Sequence, residues 1–367
     1  MTRPTSSHEQ LGWVAAFVVV CLALVTVKIV LTHHSHRAAD AVTSEHATST
    51  AQVPTDVPMT DVLHTQPTTR TRFVDRDLVE PAAEVRTALE KAAALASWPE
   101  VTNSGYIGGA QDFFNACDDV SNIKPPCVIV PNRTDPKKVA VLLGDSAMQS
   151  YWYMMRTALQ ERGWTIVNFA LSGCTGASTT PLRAVASTRS PVSCARHHAA
   201  YTALLKKWNP SVVMLSDSET APVSMTTHDS FTPAQAGRAM ARYRHGLGKT
   251  LALASSPGRT VLVLSPPPAQ RSLGACGAAS MTPAQCQQAP YDSWFSLQQA
   301  QQATAHQAGA RYADLLPFFC YQLTCPAIAV KPAGAIAVRS DQVNLTPQFQ
   351  QFIGSSFTQY LRDQGIL

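Results

Sequence analysis

A serine stands where an apolar run stops. Val139-Ala140-Val141-Leu142-Leu143 is followed by Gly144-Asp145-Ser146, and Met148, Tyr151, Trp152, Met155 and Leu159 then recur at helical intervals. The run is short and bounded, as a buried strand is, and the recurrence is that of an amphipathic helix. Strand, tight turn and helix in succession place the Ser146 hydroxyl at the carboxyl edge of a parallel sheet, where open α/β folds carry their sites. They also place it at a helix N-terminus, whose free N–H groups favour a developing oxyanion. Asp and Ser are both good N-caps, so the same residues serve equally as a structural turn.

Further residues carry two readings each. Tyr151 and Trp152 line an acyl or sugar cleft or pack into the core; they sit on adjacent faces of the helix, so core packing is expected of one of them. Asp217 contacts a substrate or is a solvated loop carboxylate. Arg339 binds an anionic group or pairs with Asp341. Pro266-Pro267-Pro268 ends a strand.

The elements that must position these residues alternate. Strand patterns at Val139–Leu143, Thr165–Phe169, Val212–Leu215, Val261–Leu264 and Arg311–Asp314 are separated by helix patterns at Met148–Arg162, Ala199–Trp208, Pro233–Leu253 and Ser293–Ala308, and Pro347–Arg362 closes the chain. Regular βα alternation implies a mainly parallel sheet with helices on both faces, and right-handed crossovers make it a three-layer α/β/α sandwich. The helix pattern at Leu78–Ala96 precedes this series. No internal repeat is visible.

The 367 residues carry a net charge of +5 that is spread along the chain without a basic block, which argues against a nucleic-acid partner. Leu11–Leu31 is apolar except for Lys28. At 1.5 Å per residue it is long enough for a bilayer core of roughly 30 Å. It is longer than the apolar part of a cleaved signal, and no clean small-residue cleavage site follows. Residues 1–10 therefore read as a short cytoplasmic tail, 11–32 as a transmembrane helix and 33–76, rich in Thr, Ser, Ala and Pro, as a disordered stalk. Residues 77–136 form an N-terminal lead-in segment, and 137–367 the main domain.

Of nine cysteines, Cys21 lies in the apolar stretch and eight lie beyond it. By spacing they fall into local pairs: Cys117 with Cys127, Cys174 with Cys194, Cys276 with Cys286, Cys320 with Cys325. An even set outside the membrane implies disulfides and an oxidising compartment, although eight cysteines allow 105 connectivities. None shows the paired spacing of a structural zinc site. The expectation is a single-pass protein of the cell membrane with its globular part extracytoplasmic, and with no metal and no cofactor.

From about Cys117 to its end the chain resembles the SGNH (GDSL-like) domains fused to membrane acyltransferases that O-acetylate cell-surface polysaccharides. The resemblance rests on Val-Leu-Leu-Gly-Asp-Ser146, Ser172-Gly173-Cys174, Cys194 ahead of a helix, and Pro210-Ser-Val-Val-Met-Leu-Ser216. It continues through the cysteine-bounded insert, Tyr312-Ala-Asp-Leu-Leu-Pro-Phe-Phe-Cys320, Cys325-Pro326 and Asp341-Gln342-Val343-Asn344-Leu345-Thr346. It makes residues 137–367 an SGNH-like domain and implies acyl-ester transfer. Ser146 is then the nucleophile, and the backbone N–H groups of Ser146 and Gly173 hold the oxyanion. The last block is usually Asp-x-x-His, in which the aspartate orients the histidine that takes the serine's proton. Here Asp341 is kept and the base position is Asn344. An amide accepts no proton near neutral pH. Nor does the chain have the usual histidine after the serine, where Ala147 stands, or the third-block asparagine, where the strand ends Ser216-Asp217. His197, His198, His228, His245 and His306 remain; each reads as a surface residue, and one of them would have to reach Ser146 to replace the base.

Two functions follow. One is a membrane-anchored protein acting through Ser146 on O-acetyl or other acyl esters of cell-envelope glycans. The other is a catalytically degenerate domain that binds glycan or an acyltransferase partner. The partners implied are cell-envelope glycan or its acyl esters and a membrane acyltransferase.

Overall fold

The apolar run and the turn after it form as the sequence requires. Strand β2, Val139–Gly144, is buried along its whole length, and a short helix α2, Ser146–Gln149, follows at once. The computed structural model describes residues 77–102, 117, 123, 127–130, 135–179, 182, 191–225 and 232–367. The chain divides into two compact units, Met1–Thr55 and Asp56–Leu367, and the described residues all belong to the second. The expected span at 11–32 and stalk at 33–76 lie outside the described residues. Among the described residues no helix is long and apolar enough to cross a membrane.

A helix α1, Ala83–Ala93, and a two-residue strand β1, Val128–Ile129, precede β2. Helix α3, Trp152–Leu159, leads to β3, Thr165–Asn168. Helices α4, Pro191–Ala199, and α5, Tyr201–Trp208, lead to β4, Val212–Ser216. The long α6, Pro233–Ala254, leads to β5, Thr260–Leu264. Two short helices follow, α7 at Leu273–Ala278 and α8 at Pro283–Cys286, and then α9, Asp292–Gln307, leads to β6, Arg311–Ala313. A hairpin of β7, Ile328–Lys331, and β8, Gly334–Ala337, precedes the closing helix α10, Pro347–Asp363. Sequence periodicity locates the long elements. It misses α4, the hairpin and the two short helices, none of which repeats long enough to show a period.

The main sheet has the order β1-β3-β2-β4-β5-β6. Only β1 runs antiparallel, against β3; the other pairs are parallel. Side chains alternate across such strands. Ala140, Leu142, Met214 and Leu262 face one core with α1, α3 and α10, while Val141, Leu143, Val213 and Val263 face a second with α5 and α6. Burial on both faces is why these strands read as unbroken apolar runs. This is the expected α/β fold with a mostly parallel sheet. Val85, Leu89, Cys117 and Cys127, all from the lead-in segment, share the first core with the main domain.

The order also fixes where a site belongs. From β2 the chain crosses by α3 to β3 on one side; from β4 it crosses by α6 to β5 on the other. The carboxyl ends of β2 and β4 therefore flank a topological switch point, where open α/β sheets form their crevice. Ser146 follows β2 and Asp217 follows β4.

All four cysteine pairs expected from spacing are disulfides: Cys117–Cys127, Cys174–Cys194, Cys276–Cys286 and Cys320–Cys325.

Candidate active site

The turn that presents Ser146 needs a glycine. Gly144 has φ +132°, and a Cβ there would lie 2.0 Å from the Ser216 carbonyl oxygen. Asp145 caps the helix, accepting the Ala147 N–H at 2.8 Å. It also accepts the Ser218 N–H at 3.0 Å and the Ser218 hydroxyl at 2.6 Å, so it ties the serine's turn to the end of β4. Ser146 itself is half-exposed, and among the described residues its hydroxyl has no hydrogen-bond partner.

The loop carrying Gly173 is fastened to the same turn. Leu171 N–H donates to the Gly144 carbonyl at 2.8 Å, and Cys174 N–H closes the turn on Leu171 at 2.9 Å. Gly173 has φ +76°. The Cys174–Cys194 disulfide binds this loop to α4, closing a separation of 20 residues; in the chain-entropy model such a closure contributes about 3 kcal/mol.

His197 and His198, expected at the surface, are both buried on α4 beneath this loop. His198 Nε2–H donates to the Thr175 carbonyl at 2.6 Å, and His197 Nε2–H to the Phe169 carbonyl at 3.0 Å. Burial lowers the pKa of His198, so it stays neutral as a donor. His306 is exposed and bonds Asp77, and His245 is exposed on α6. His228 lies outside the described residues. Among the described residues no histidine is bonded to Ser146.

Asp217 is neither solvated nor offered to a ligand. It is fully buried and accepts the Gly176 N–H at 2.6 Å, the Thr175 hydroxyl at 2.8 Å and the Tyr243 hydroxyl at 3.1 Å. Burial first, and the charge of Asp145 second, push its carboxyl up to about 7. The Asp145 carboxyl is raised as well, again by burial. Tyr151 and Trp152 are both core residues; the Tyr151 hydroxyl donates to the Ser265 carbonyl at 2.6 Å.

Asp341 and Asn344 sit in the five-residue loop closed by a bridge between Arg339 and Leu345. Asp341 accepts the Val343 and Asn344 N–H groups at 2.8 and 2.7 Å. Its second oxygen accepts Asn344 Nδ2–H at 2.7 Å. The Asn344 carbonyl in turn accepts the hydroxyl of Ser150 at 2.8 Å. The polarity is that of an aspartate, histidine and serine relay: carboxylate accepts N–H, and the same side chain then accepts a hydroxyl. Two differences matter. The middle member is an amide, and the hydroxyl belongs to Ser150, one helical turn beyond Ser146. Nothing in the sequence singles out Ser150, which stands 194 residues from its partner.

Arg339 forms no ion pair with Asp341. It is buried, and donates to the Val343 carbonyl at 3.3 Å and the Gln270 side-chain oxygen at 3.4 Å. Gln270 N–H donates to the Gln342 carbonyl at 2.9 Å, bracing the loop from outside. Glu219, next to Ser218, is buried beside this group. Burial pushes its carboxyl up to about 7, against the Ala269 N–H and the Arg339 charge, which pull it down. Buried polar groups thus extend from the Ser146 turn through Ser218 and Glu219 to Arg339, which feels the Glu219 charge and bonds the Asn344 loop.

Glu219 gives this chain a pH signature. Its folded pKa lies above the unfolded value of 4.5, so its contribution to stability is complete below that value and is lost as pH rises through 7. At 1.36 kcal/mol per unit the loss approaches roughly 3 kcal/mol. Glu219→Gln removes the titration. Its melting temperature should gain on that of the wild type by several degrees between pH 5 and pH 8, and two parallel curves would contradict the assignment.

A family model of the SGNH domain fused to AT3 domains matches residues 112–339. The match stops two residues short of Asp341. A comparison with curated proteins finds no match. Solved structures with a similar fold include the periplasmic domain of a lipopolysaccharide acetyltransferase from Salmonella ser. Paratyphi A, with 11% identity, 72% of this chain and 99% of that one covered, and a TM-score of 0.47. A carbohydrate acetylesterase from Sinorhizobium meliloti is 15% identical over 62% of this chain and 100% of its own, with a TM-score of 0.36. A GDSL-like lipase from Bacteroides thetaiotaomicron is 11% identical over 70% of this chain and 100% of its own, with a TM-score of 0.39.

Proposed function

This chain belongs to the SGNH domain family, in the form that occurs fused to AT3 domains, and from that premise we propose that it is an extracytoplasmic, membrane-anchored domain that binds acyl esters of cell-envelope glycan without turning them over. It works beside a membrane acyltransferase. The observation that carries this reading is the Asn344 side chain, held between Asp341 and Ser150 in the place of a catalytic histidine. The binding half of the chemistry is kept. The Ser146 hydroxyl and the N–H groups of Ser146 and Gly173 face an ester carbonyl at the switch point. Attack by Ser146 would form a C–O bond and an oxyanion while its proton needs an acceptor. Asn344 offers none, and an un-ionised hydroxyl is a weak nucleophile.

The intact Gly144-Asp145-Ser146 turn favours a second reading, an esterase or O-acyltransferase acting through Ser146. The experiment that separates the two is hydrolysis of p-nitrophenyl acetate by the Asp56–Leu367 unit and by its Ser146→Ala variant. Binding without turnover predicts equal, near-background rates.

A further inference from the structure

The edge of the sheet opposite Ser146 has its own chemistry. Lys137 and Lys138 lead into β2, Arg259 leads into β5 and Arg311 begins β6, so cations gather where the parallel strands start. Lys206 and Lys207 close α5, just before β4. Cations at a helix C-terminus offset the macrodipole, which accounts for this last pair. At the strand starts Lys138 donates to the Arg162 carbonyl, Arg259 to those of Pro210 and Ala254, and Arg311 to that of Gln364, which leaves the exposed Lys137 ammonium without such a bond among the described residues. The acids of this edge are fewer: Asp135, Glu161 and Asp363, with Asp77 bonded to His306.

Helices α6 and α9 end at this edge, and a groove of about 570 Å³ lies between them. Arg244, His245 and Lys249 line it above a floor of small residues, among them Gly248, Ala252 and Ala308, and no carboxylate lines it. The 22 residues of α6 include no Asp or Glu. Arg244 and Lys249 are exposed, and among the described residues neither side chain has a hydrogen bond or ion pair. One large apolar side chain left in solvent, Leu253 in the last turn of α6, lies at this edge too. Asp77 bonds His306 on the last turn of α9 at 2.6 Å. The 76 residues ahead of it include the apolar stretch Leu11–Leu31.

We propose that this edge is a membrane-docking surface, on which Arg244, Lys249 and Lys137 hold the phosphate headgroups of anionic phospholipids. Leu253 favours a bilayer over a soluble polyanion, because it supplies apolar contact that only the lipid boundary can take up. Strands of five or six residues rise about 3.3 Å per residue, so the Ser146 crevice opens away from the bilayer, roughly 20 Å above it. The inference extends the membrane-surface reading to a defined face and orientation. It does not depend on whether residues 11–32 remain as an anchor.

The test uses the Asp56–Leu367 unit, a compact unit that holds both cores and all four disulfides. Its co-sedimentation is measured with vesicles of phosphatidylglycerol and phosphatidylcholine, and with phosphatidylcholine alone, at about 0.1 M salt. Each Lys or Arg near an anionic surface strengthens binding roughly fivefold. Arg244→Glu with Lys249→Glu should therefore weaken binding to the anionic vesicles by at least ~25-fold. Its melting temperature should stay unchanged, because both side chains lie in solvent. Leu253→Ser should weaken vesicle binding while leaving any binding of inorganic polyphosphate as it was. Equal binding to both vesicles, full retention by the charge-reversed variant, or binding of polyphosphate with none to vesicles would each overturn the proposal. None of these results touches the ester-binding reading, whose readout depends on Ser146 at the opposite edge.

Discussion

Asn344→His should create an esterase. In the structure the Asn344 Nδ2–H already donates to Asp341 at 2.7 Å, and an imidazole Nδ1–H can take over that bond without moving the loop. The far ring nitrogen then becomes an acceptor directed at α2, where Ser146 waits at a helix N-terminus. A positioned general base contributes a factor of about 10²–10⁴, and a gain in that range is expected with p-nitrophenyl acetate. Ser150 competes for the new base, since its hydroxyl now bonds the Asn344 carbonyl. The double variant Asn344→His, Ser150→Ala should accordingly be faster than Asn344→His alone. The gained rate should rise with pH through the ordinary histidine range, near 6.5, because only the neutral ring accepts a proton. Adding Ser146→Ala should return it to background. A gain that survives the loss of Ser146 would mean that the histidine acts on water elsewhere.

Gly144→Ala should be the most damaging small substitution in the site. Its Cβ would lie 2.0 Å from the Ser216 carbonyl oxygen and 3.2 Å from Met148 Cβ, with the backbone at φ +132°. Gly144 and Ser216 are register partners in adjacent parallel strands, so relief requires β2 and β4 to part just where they frame the crevice. Strain at such a φ costs about 1–3 kcal/mol, and overpacking a filled site costs about 1–3 kcal/mol more. A drop in melting temperature on the order of 10 °C is expected at 2–4 °C per kcal/mol for a chain of this size. Gly258→Ala is the matched comparison: φ is +77° there, but a new Cβ meets nothing within 4 Å. It carries the conformational strain alone and should cost much less. Equal losses for the two would show that close packing against β4 does not constrain the Ser146 turn.

How much of this was legible follows from where each interaction lies along the chain. The Ser146 turn reads directly because strand, turn and helix are contiguous, and Gly144, Asp145 and Ser146 each act within a few residues of one another. The disulfides read well because each closes a local loop. Asp217 misleads, since a polar residue at a strand end looks solvated; its three partners come from the Thr175-Gly176 loop and from α6 and are invisible to local pattern. His197 and His198 mislead for a related reason. Helix α4 buries Cys194, His197 and His198 while leaving Val192 exposed, so its inward face is not aliphatic and shows no apolar period. Arg339 is hidden by the same logic, being buried among groups contributed by the ends of β4 and β5. The pairing of Asn344 with Asp341, three residues apart, is local enough to read from the sequence. That the Asn344 amide is occupied by Ser150 is not.

If the site binds an ester but lacks the base to open it, an activated ester should leave Ser146 unmodified. Intact-mass analysis of the wild-type Asp56–Leu367 unit after exposure to p-nitrophenyl acetate, with digestion to locate any adduct, tests it most directly. Ser146 should carry no acetyl group, and Ser146→Ala should leave the rate of p-nitrophenol release unchanged. Rapid, stoichiometric acetylation of Ser146, with turnover that disappears in Ser146→Ala, would contradict binding without turnover.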